Sequence, residues 1–273
     1  MTLEVSLIQL RTPASQAEAL RQAAPLVREA ASRGAQLILT PEGSNILQRN
    51  RARLFEALAP MESDEAVNGY RALAAELDVW ILIGSAMVLR PDGKVANRSI
   101  LVDPRGGVSA TYDKLHMFDV DLPTGERHRE SAVYEPGGAA VVAEAAGATL
   151  GLTICYDLRF PALHRALACA GANVLTTPAA FTRPTGRAHW EVLLRARAIE
   201  TGSFVLAPAQ GGTHEDGRET WGHSLAVGPW GEVLAHADQD EPCVISASLD
   251  LSQVDKARAA IPVLEHARAF TGP

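Results

Sequence analysis

Thr149-Leu150-Gly151-Leu152-Thr153-Ile154-Cys155-Tyr156-Asp157-Leu158-Arg159-Phe160-Pro161 decides the fold of this chain. The run Thr149–Ile154 is short, apolar and β-branched, which predicts a buried strand. Pro161 suits the first turn of a helix, where its missing N–H costs nothing, and Gly171 suits the end of that helix. Cys155 therefore stands where a strand gives way to a helix. Free N–H groups and the positive end of the helix dipole favour an anion there. A free cysteine taken alone is most often a packing residue. The flanking pattern points instead to a thiol presented for reaction.

The same alternation extends outward. Strands are predicted over Val5–Leu10, Gln36–Thr40, Trp80–Met87, Val174–Thr177, Phe204–Ala207, Ser224–Val227 and Val244–Leu249. Ser99–Val102 and Val108–Tyr112 flank Pro104-Arg105-Gly106-Gly107 and read as a hairpin. Ser15-Gln16-Ala17-Glu18 reads as a capping box opening a helix that stops at Gly34, with Pro25 as a kink site. Further helices are expected over Asp64–Leu77 and Trp190–Thr201, the latter ended by Gly202. Pro229-Trp230-Gly231 is a turn. Strand and helix signals interleaved in this way give an α/β or α+β layered fold, without fixing strand order.

The chain has 273 residues, 47% hydrophobic content and a net charge of -7. Nucleic acid and anionic membranes need a basic face, so neither is expected as a partner. The first residues carry no basic region before an apolar run, and no signal peptide is expected. Cys155, Cys169 and Cys243 are the only cysteines. Their odd number and spacing fit neither a disulfide framework nor a thiolate metal site, and point to a reducing, cytoplasmic setting. Cys169 is expected to pack within a helix and Cys243 within a strand. No cofactor fingerprint or metal-ligand spacing is present. Gly222-His223-Ser224-Leu225-Ala226 lacks the last glycine of a serine nucleophile elbow.

A thiol nucleophile needs a base, and its tetrahedral intermediate needs positive charge or N–H donors. Glu42 follows a predicted strand in Thr40-Pro41-Glu42-Gly43. Lys114 follows another in Tyr112-Asp113-Lys114-Leu115-His116. With Cys155 they supply a carboxylate, an ammonium and a thiol. The backbone N–H of Tyr156 is placed to bind an oxyanion, and His116 reads as a structural hydrogen-bonding residue.

On these three motifs the chain resembles the nitrilase, or carbon–nitrogen hydrolase, superfamily. The resemblance runs from Val5 to about Phe270. It implies an α+β fold, a four-layer αββα sandwich forming a single domain over 1–273. It also implies Glu42 as general base, Lys114 beside the oxyanion and Cys155 as nucleophile. Glu130 would be a second glutamate that orients the lysine, chosen over Glu126 and Glu135 by its place in Glu-Ser before Pro-Gly. His189–Thr201, Trp221–Ser224 and Pro229–Glu232 resemble the Nit branch, and within it the deaminated glutathione amidases. Arg187 and Gly43-Ser44-Asn45 depart from the residues common in those relatives.

The implied activity is hydrolysis of a carboxamide to acid and ammonia without a cofactor. Deaminated glutathione is the favoured substrate. An ω-amidase acting on α-keto-glutaramate is the alternative within the class, with other small amides or nitriles behind it. An inactive hydrolase fold serving as an interaction protein is the alternative from another class. Arg183 and Arg187, expected in a loop before the His189 helix, are candidates to bind the distal carboxylate. His189 is a weaker pocket candidate, better suited to packing. The resemblance also implies a homodimer or higher homo-oligomer, with about 250–273 used in packing or dimerisation.

Overall fold

A computed structural model describes residues 1–123 and 125–272. Two six-stranded sheets form its centre. The first comprises β1 (Thr2–Gln9), β2 (Leu37–Leu39), β3 (Trp80–Leu89), β4 (Val95–Val102), β5 (Val108–Asp113) and β16 (Cys243–Asp250). Its order is β16-β1-β2-β3-β4-β5. The second comprises β8 (Val141–Ala145), β9 (Ala148–Leu152), β10 (Val174–Thr176), β11 (Phe204–Ala207), β14 (Leu225–Val227) and β15 (Val233–His236). Its order is β15-β14-β11-β10-β9-β8. The sheets share one pairing scheme: three central parallel strands, one antiparallel neighbour on one side and two on the other. Two small hairpins stand apart, β6–β7 (Asp119–Asp121, Arg127–Arg129) and β12–β13 (Gly211–Thr213, Glu219–Trp221).

Side-chain alternation assigns the faces of the first sheet. Leu37, Leu39 and Leu82 share a core with Leu150, Leu152 and Val205 of the second sheet. Their neighbours Ile38, Ile81 and Ile83 pack with Val27 of α1 (Gln16–Ser32) and Tyr70 of α3 (Glu65–Leu77). The second sheet is covered by α4 (Pro161–Cys169) and α5 (Arg183–Thr201). The result is the expected αββα sandwich. The short α2 (Arg51–Ala57) packs its Leu54 with Met87 and Val95, and α6 (Ser252–Ala260) follows β16.

Several local expectations change. Ser15 precedes α1 but its side chain makes no capping bond, and the helix runs through Pro25 to Ser32. Asp64 does cap α3, accepting from Val67 N at 2.9 Å. Cys169 is the last residue of α4 and is exposed rather than packed, while Cys243, at the start of β16, is half-buried. The largest shift is in α5. It begins at Arg183, so Arg183, Arg187 and His189 lie on the helix and not in a loop. Pro184 sits in its first turn, where proline is accommodated. The 250–273 segment contains α6 and then irregular chain; Pro273 lies outside the described residues.

Candidate active site

The loop after β2 is laced onto β3. Thr40 N donates to Leu82 O at 3.0 Å, Ser44 N to Ser85 O at 2.8 Å, and Gly43 N to Ser85 Oγ at 2.9 Å. Gly84 lets the strands come this close: a Cβ there would overlap Thr40 O and crowd Pro178. Gly43 takes a φ of 69°, a left-handed turn that glycine adopts at no steric cost. The outcome is a buried Glu42 with fixed oxygens. Oε2 accepts from Ala180 N at 2.9 Å, and Gln210 Nε2 donates to the Glu42 carbonyl at 2.9 Å.

Lys114 enters from the end of β5 and is 2% exposed. Its backbone is pinned on both sides, N to Asn97 O at 3.0 Å and O from Gly137 N at 2.8 Å. Nζ donates to Glu42 Oε1 at 3.0 Å and to Glu130 Oε1 and Oε2 at 2.8 and 2.9 Å. Glu130 opens the short turn after β7 and also accepts from Phe118 N at 2.6 Å. Asn97 of β4 donates to Glu42 Oε1 at 2.8 Å and approaches Glu130 Oε1 at 3.4 Å. Asn97 was not anticipated from sequence, where it is one of three adjacent polar residues in β4, beside Arg98 and Ser99.

Cys155 opens a 3-10 turn, Cys155–Arg159, three residues beyond β9. Its φ is 50°, a left-handed conformation rare for a residue with a side chain. Cys155 N donates to Pro178 O at 2.9 Å and Asp157 N to Ile154 O at 3.0 Å. The Tyr156 N–H lies between them in the first turn, which has no internal acceptor for it. The buried Asp157 carboxylate locks the turn. It accepts from Ile154 N at 2.9 Å, Tyr112 Oη at 2.6 Å and His116 N at 3.1 Å, and meets His116 Nδ1 at 2.6 Å. The His116 ring lies flat on Phe160, 3.5 Å between centroids.

Electrostatics set the resting protonation of the cluster. Burial pushes the Glu42 carboxyl up, but Lys114, with hydrogen bonds from Cys155 and Asn97, brings it below the ordinary range. Burial and the Glu42 charge hold the Cys155 thiol well above its ordinary value. Lys114 is raised despite burial, because Glu130, Glu42 and Cys155 surround it. The resting site is thus a carboxylate, an ammonium and a neutral thiol, all lining one cavity. This is the state from which a base can take the thiol proton as the sulfur attacks a carbonyl.

The carbon-nitrogen hydrolase family model matches residues 4–259. The deaminated glutathione amidase of Yersinia enterocolitica is 39% identical over 97% of this chain and 92% of its own. The chain belongs to the carbon-nitrogen hydrolase family. The crystal structure of the C. elegans NitFhit protein superposes with a TM-score of 0.91 at 33% identity. It matches 98% of this chain, which spans 65% of that longer one. A Glu-to-Gln mutant of the amidase from Nesterenkonia sp. AN1 matches at TM-score 0.77 and 26% identity, over 95% of this chain and 98% of its own. That structure shows Michael addition of acrylamide at its active site cysteine. This chain is accordingly an enzyme of non-peptide C–N bonds, with relatives in the Nit branch.

In this hydrolase Glu42, Lys114, Glu130, Cys155 and Tyr156 line one cavity of about 420 Å³, a size suited to a small molecule. Cationic side chains in its wall outnumber acidic ones by eight to four, although the whole chain carries -7. The three residues proposed from sequence for the distal end fare differently. Arg183 lines the cavity but is paired with Asp240 at 2.8 Å. Arg187 is exposed and lies outside the lining. His189 is exposed too, with Nδ1 3.3 Å from Arg159 Nη1; neither pocket nor core holds it. Its neighbour Trp190 is the packing residue, 2% exposed, with its ring tilted against Phe181 at 4.8 Å between centroids. Among the described residues no helix is long and apolar enough to cross a membrane.

Proposed function

We propose that this hydrolase cleaves deaminated glutathione, with Cys155 as nucleophile, Glu42 as general base and Lys114 as the cation beside the oxyanion. One observation carries the reading. Lys114 touches both glutamates, and all three line one cation-rich cavity with the Cys155 thiol. The name of the Yersinia relative, a deaminated glutathione amidase, supports the substrate. So does the cavity, because that substrate carries two carboxylates.

The Cys155 sulfur forms a bond to the amide carbonyl carbon while its proton passes to Glu42. The carbonyl oxygen becomes an oxyanion, met by Lys114 Nζ and the Tyr156 N–H. Collapse breaks the C–N bond, and the amine leaves with the proton from Glu42. A thioester remains. Water then attacks it, Glu42 takes the water proton, the C–S bond breaks and the proton returns to sulfur. From a primary amide the leaving group is ammonia. From deaminated glutathione it is the amine of cysteinylglycine, since the γ-amide joins that dipeptide to an α-keto acid. Glu130 holds Lys114 through two hydrogen bonds and acts as a positioning residue.

Turnover of deaminated glutathione to α-keto-glutarate and cysteinylglycine, followed by mass spectrometry, tests the reading. Its specificity constant should exceed that for α-keto-glutaramate. The reverse order would make the enzyme an ω-amidase. Inactivity on both would leave only carbon–nitrogen hydrolysis.

The same proposal treats 1–273 as one domain working in a reducing cytoplasm, which the three unpaired cysteines support. Exposed Ile261, Val263 and Phe270 support a homo-oligomer that covers the C-terminal segment. Light scattering of the intact chain and of one ending at residue 260 would test this, a monomer in both cases overturning it.

A further inference from the structure

We propose that Arg218 is a specificity-determining residue whose guanidinium binds a substrate carboxylate remote from the scissile amide. The inference rests on the functional reading above and assigns the remote end of that substrate.

The backbone of Arg218 is fixed. It lies at the tip of the β12–β13 hairpin, where its carbonyl accepts from His214 N at 2.8 Å and its N–H donates to Asp216 Oδ1 at 2.9 Å. Gly217, with φ 77°, makes the turn. The hairpin is rooted by the buried His214 ring, held between Thr12 O at 3.2 Å and Thr220 Oγ1 at 2.7 Å. It is also strapped to the chain entering α5: Thr220 bridges to Thr182, and Trp221 N donates to Phe181 O at 2.9 Å. That chain begins at Ala180, whose N–H holds Glu42. The hairpin tip is therefore registered to the catalytic cluster.

The guanidinium, by contrast, is uncommitted. Among the described residues its one ion-pair partner is Asp216 Oδ2, at 3.5 Å, too long for a good hydrogen bond. Asp216 Oδ2 is itself buried without a hydrogen-bond partner. The carboxylate steadies the arginine without using its planar fork of donors, the geometry that matches a second carboxylate. Arg49, Arg51 and Arg127 also line the wall, but all three are exposed, Arg51 lying over the Phe55 ring and Arg127 3.5 Å from Asp121, whereas Arg218 is half-buried. Three further wall cations are occupied. Arg129 pairs with Asp121 at 2.9 Å, Arg183 with Asp240, and Lys114 with both glutamates. Arg159 has no carboxylate partner among the described residues but lies over the Phe181 ring, on the nucleophile's own turn. Arg218 comes from a different element. Arg218 and the half-buried Tyr134 line the same cavity as Glu42, Lys114, Glu130 and Cys155, so the guanidinium opens onto the space that holds the reacting groups.

The test compares deaminated glutathione with an analogue whose glycine carboxylate is capped as an N-methylamide. Wild-type protein should prefer the free carboxylate by about 10- to 100-fold in kcat/KM, expressed in KM, as expected for a charged hydrogen-bond pair. Arg218→Gln should bring that ratio to about one, and Arg218→Lys should retain part of it. Circular dichroism melting checks that each variant folds. Should Arg218→Gln fail to fold, the wild-type ratio and Arg218→Lys still decide. A wild type indifferent to the cap, or an Arg218→Gln enzyme that keeps the full preference, overturns the proposal. If wild type does not cleave deaminated glutathione, the functional reading falls. The ratio is then measured on the best ω-amide with and without a remote carboxylate, and equality there overturns the Arg218 assignment too.

Discussion

The Tyr112 hydroxyl donates to Oδ2 of Asp157 across 2.6 Å, tying the strand that carries Lys114 to the turn that carries Cys155. Both groups are fully buried or nearly so. Tyr112→Phe should leave Asp157 short of one donor and cost about 1–3 kcal/mol, read from denaturant unfolding. Asp157→Asn should cost more, because His116 and Ile154 also depend on that carboxylate. An unfolding midpoint identical to wild type for both would show that this link does not hold the two motifs together.

The thiols should separate by reagent. Cys169 is exposed, and the Cys155 thiol is kept protonated. A small alkylating reagent at neutral pH should therefore modify Cys169 first. A slowly cleaved amide should instead leave its acyl group on Cys155. Cys155→Ala should lose that adduct and all turnover while remaining folded. An acyl adduct on Cys169 or Cys243 would refute the covalent assignment.

Lys114→Met should lower kcat by about 100- to 1000-fold, the usual cost of one oxyanion donor. Glu42→Gln should lower it at least as far, and the double variant should lose less than the product, since both act on one intermediate. Glu130→Gln should have a smaller effect, because Asn97 and Glu42 still hold Lys114 in place. A Lys114→Met enzyme with normal kcat and a raised KM would assign the lysine to substrate binding.

Stability should fall with acid, and His164 should begin the fall. It is buried in α4, with Nδ1 3.2 Å from Phe160 O and Nε2 unpartnered. Burial lowers its pKa from 6.5 to about 4. The neutral ring therefore contributes stability that is present above 6.5 and lost as pH falls toward 4, by up to about 1.4 kcal/mol per pH unit. Glu42, also lowered, adds its loss below 4.5, as its carboxylate takes up a proton. A His164→Gln variant should flatten the unfolding curve between 6.5 and 4. An unchanged slope would place the acid sensitivity elsewhere.

The sheets were legible because their central strands are largely buried, which leaves charge-free, mostly apolar runs such as Thr149–Ile154. Glu42, Lys114 and Cys155 were legible as strand-end residues with complementary chemistry, and their motifs carried the family. Their meeting is a product of sheet order, which periodicity does not encode. The start of α5 was misplaced because Pro184 and Gly186 look like loop residues. Gly186 is in fact small to let Trp221 lie against the helix. Helical periodicity then turns Trp190 inward and leaves Arg187 and His189 outside. Arg218 was invisible for a related reason: a hairpin arginine gains its place from tertiary straps to Thr182 and Phe181, far away in sequence.

The left-handed backbone of Cys155 sets the reactive position against the stability of the chain. Only glycine is at ease at a φ of 50°. A Cys155→Gly protein should thus unfold later than Cys155→Ala, by about 1 kcal/mol, although both are inert. The conformation best for folding at this position is one that carries no sulfur, so selection for endurance alone would erase the catalyst.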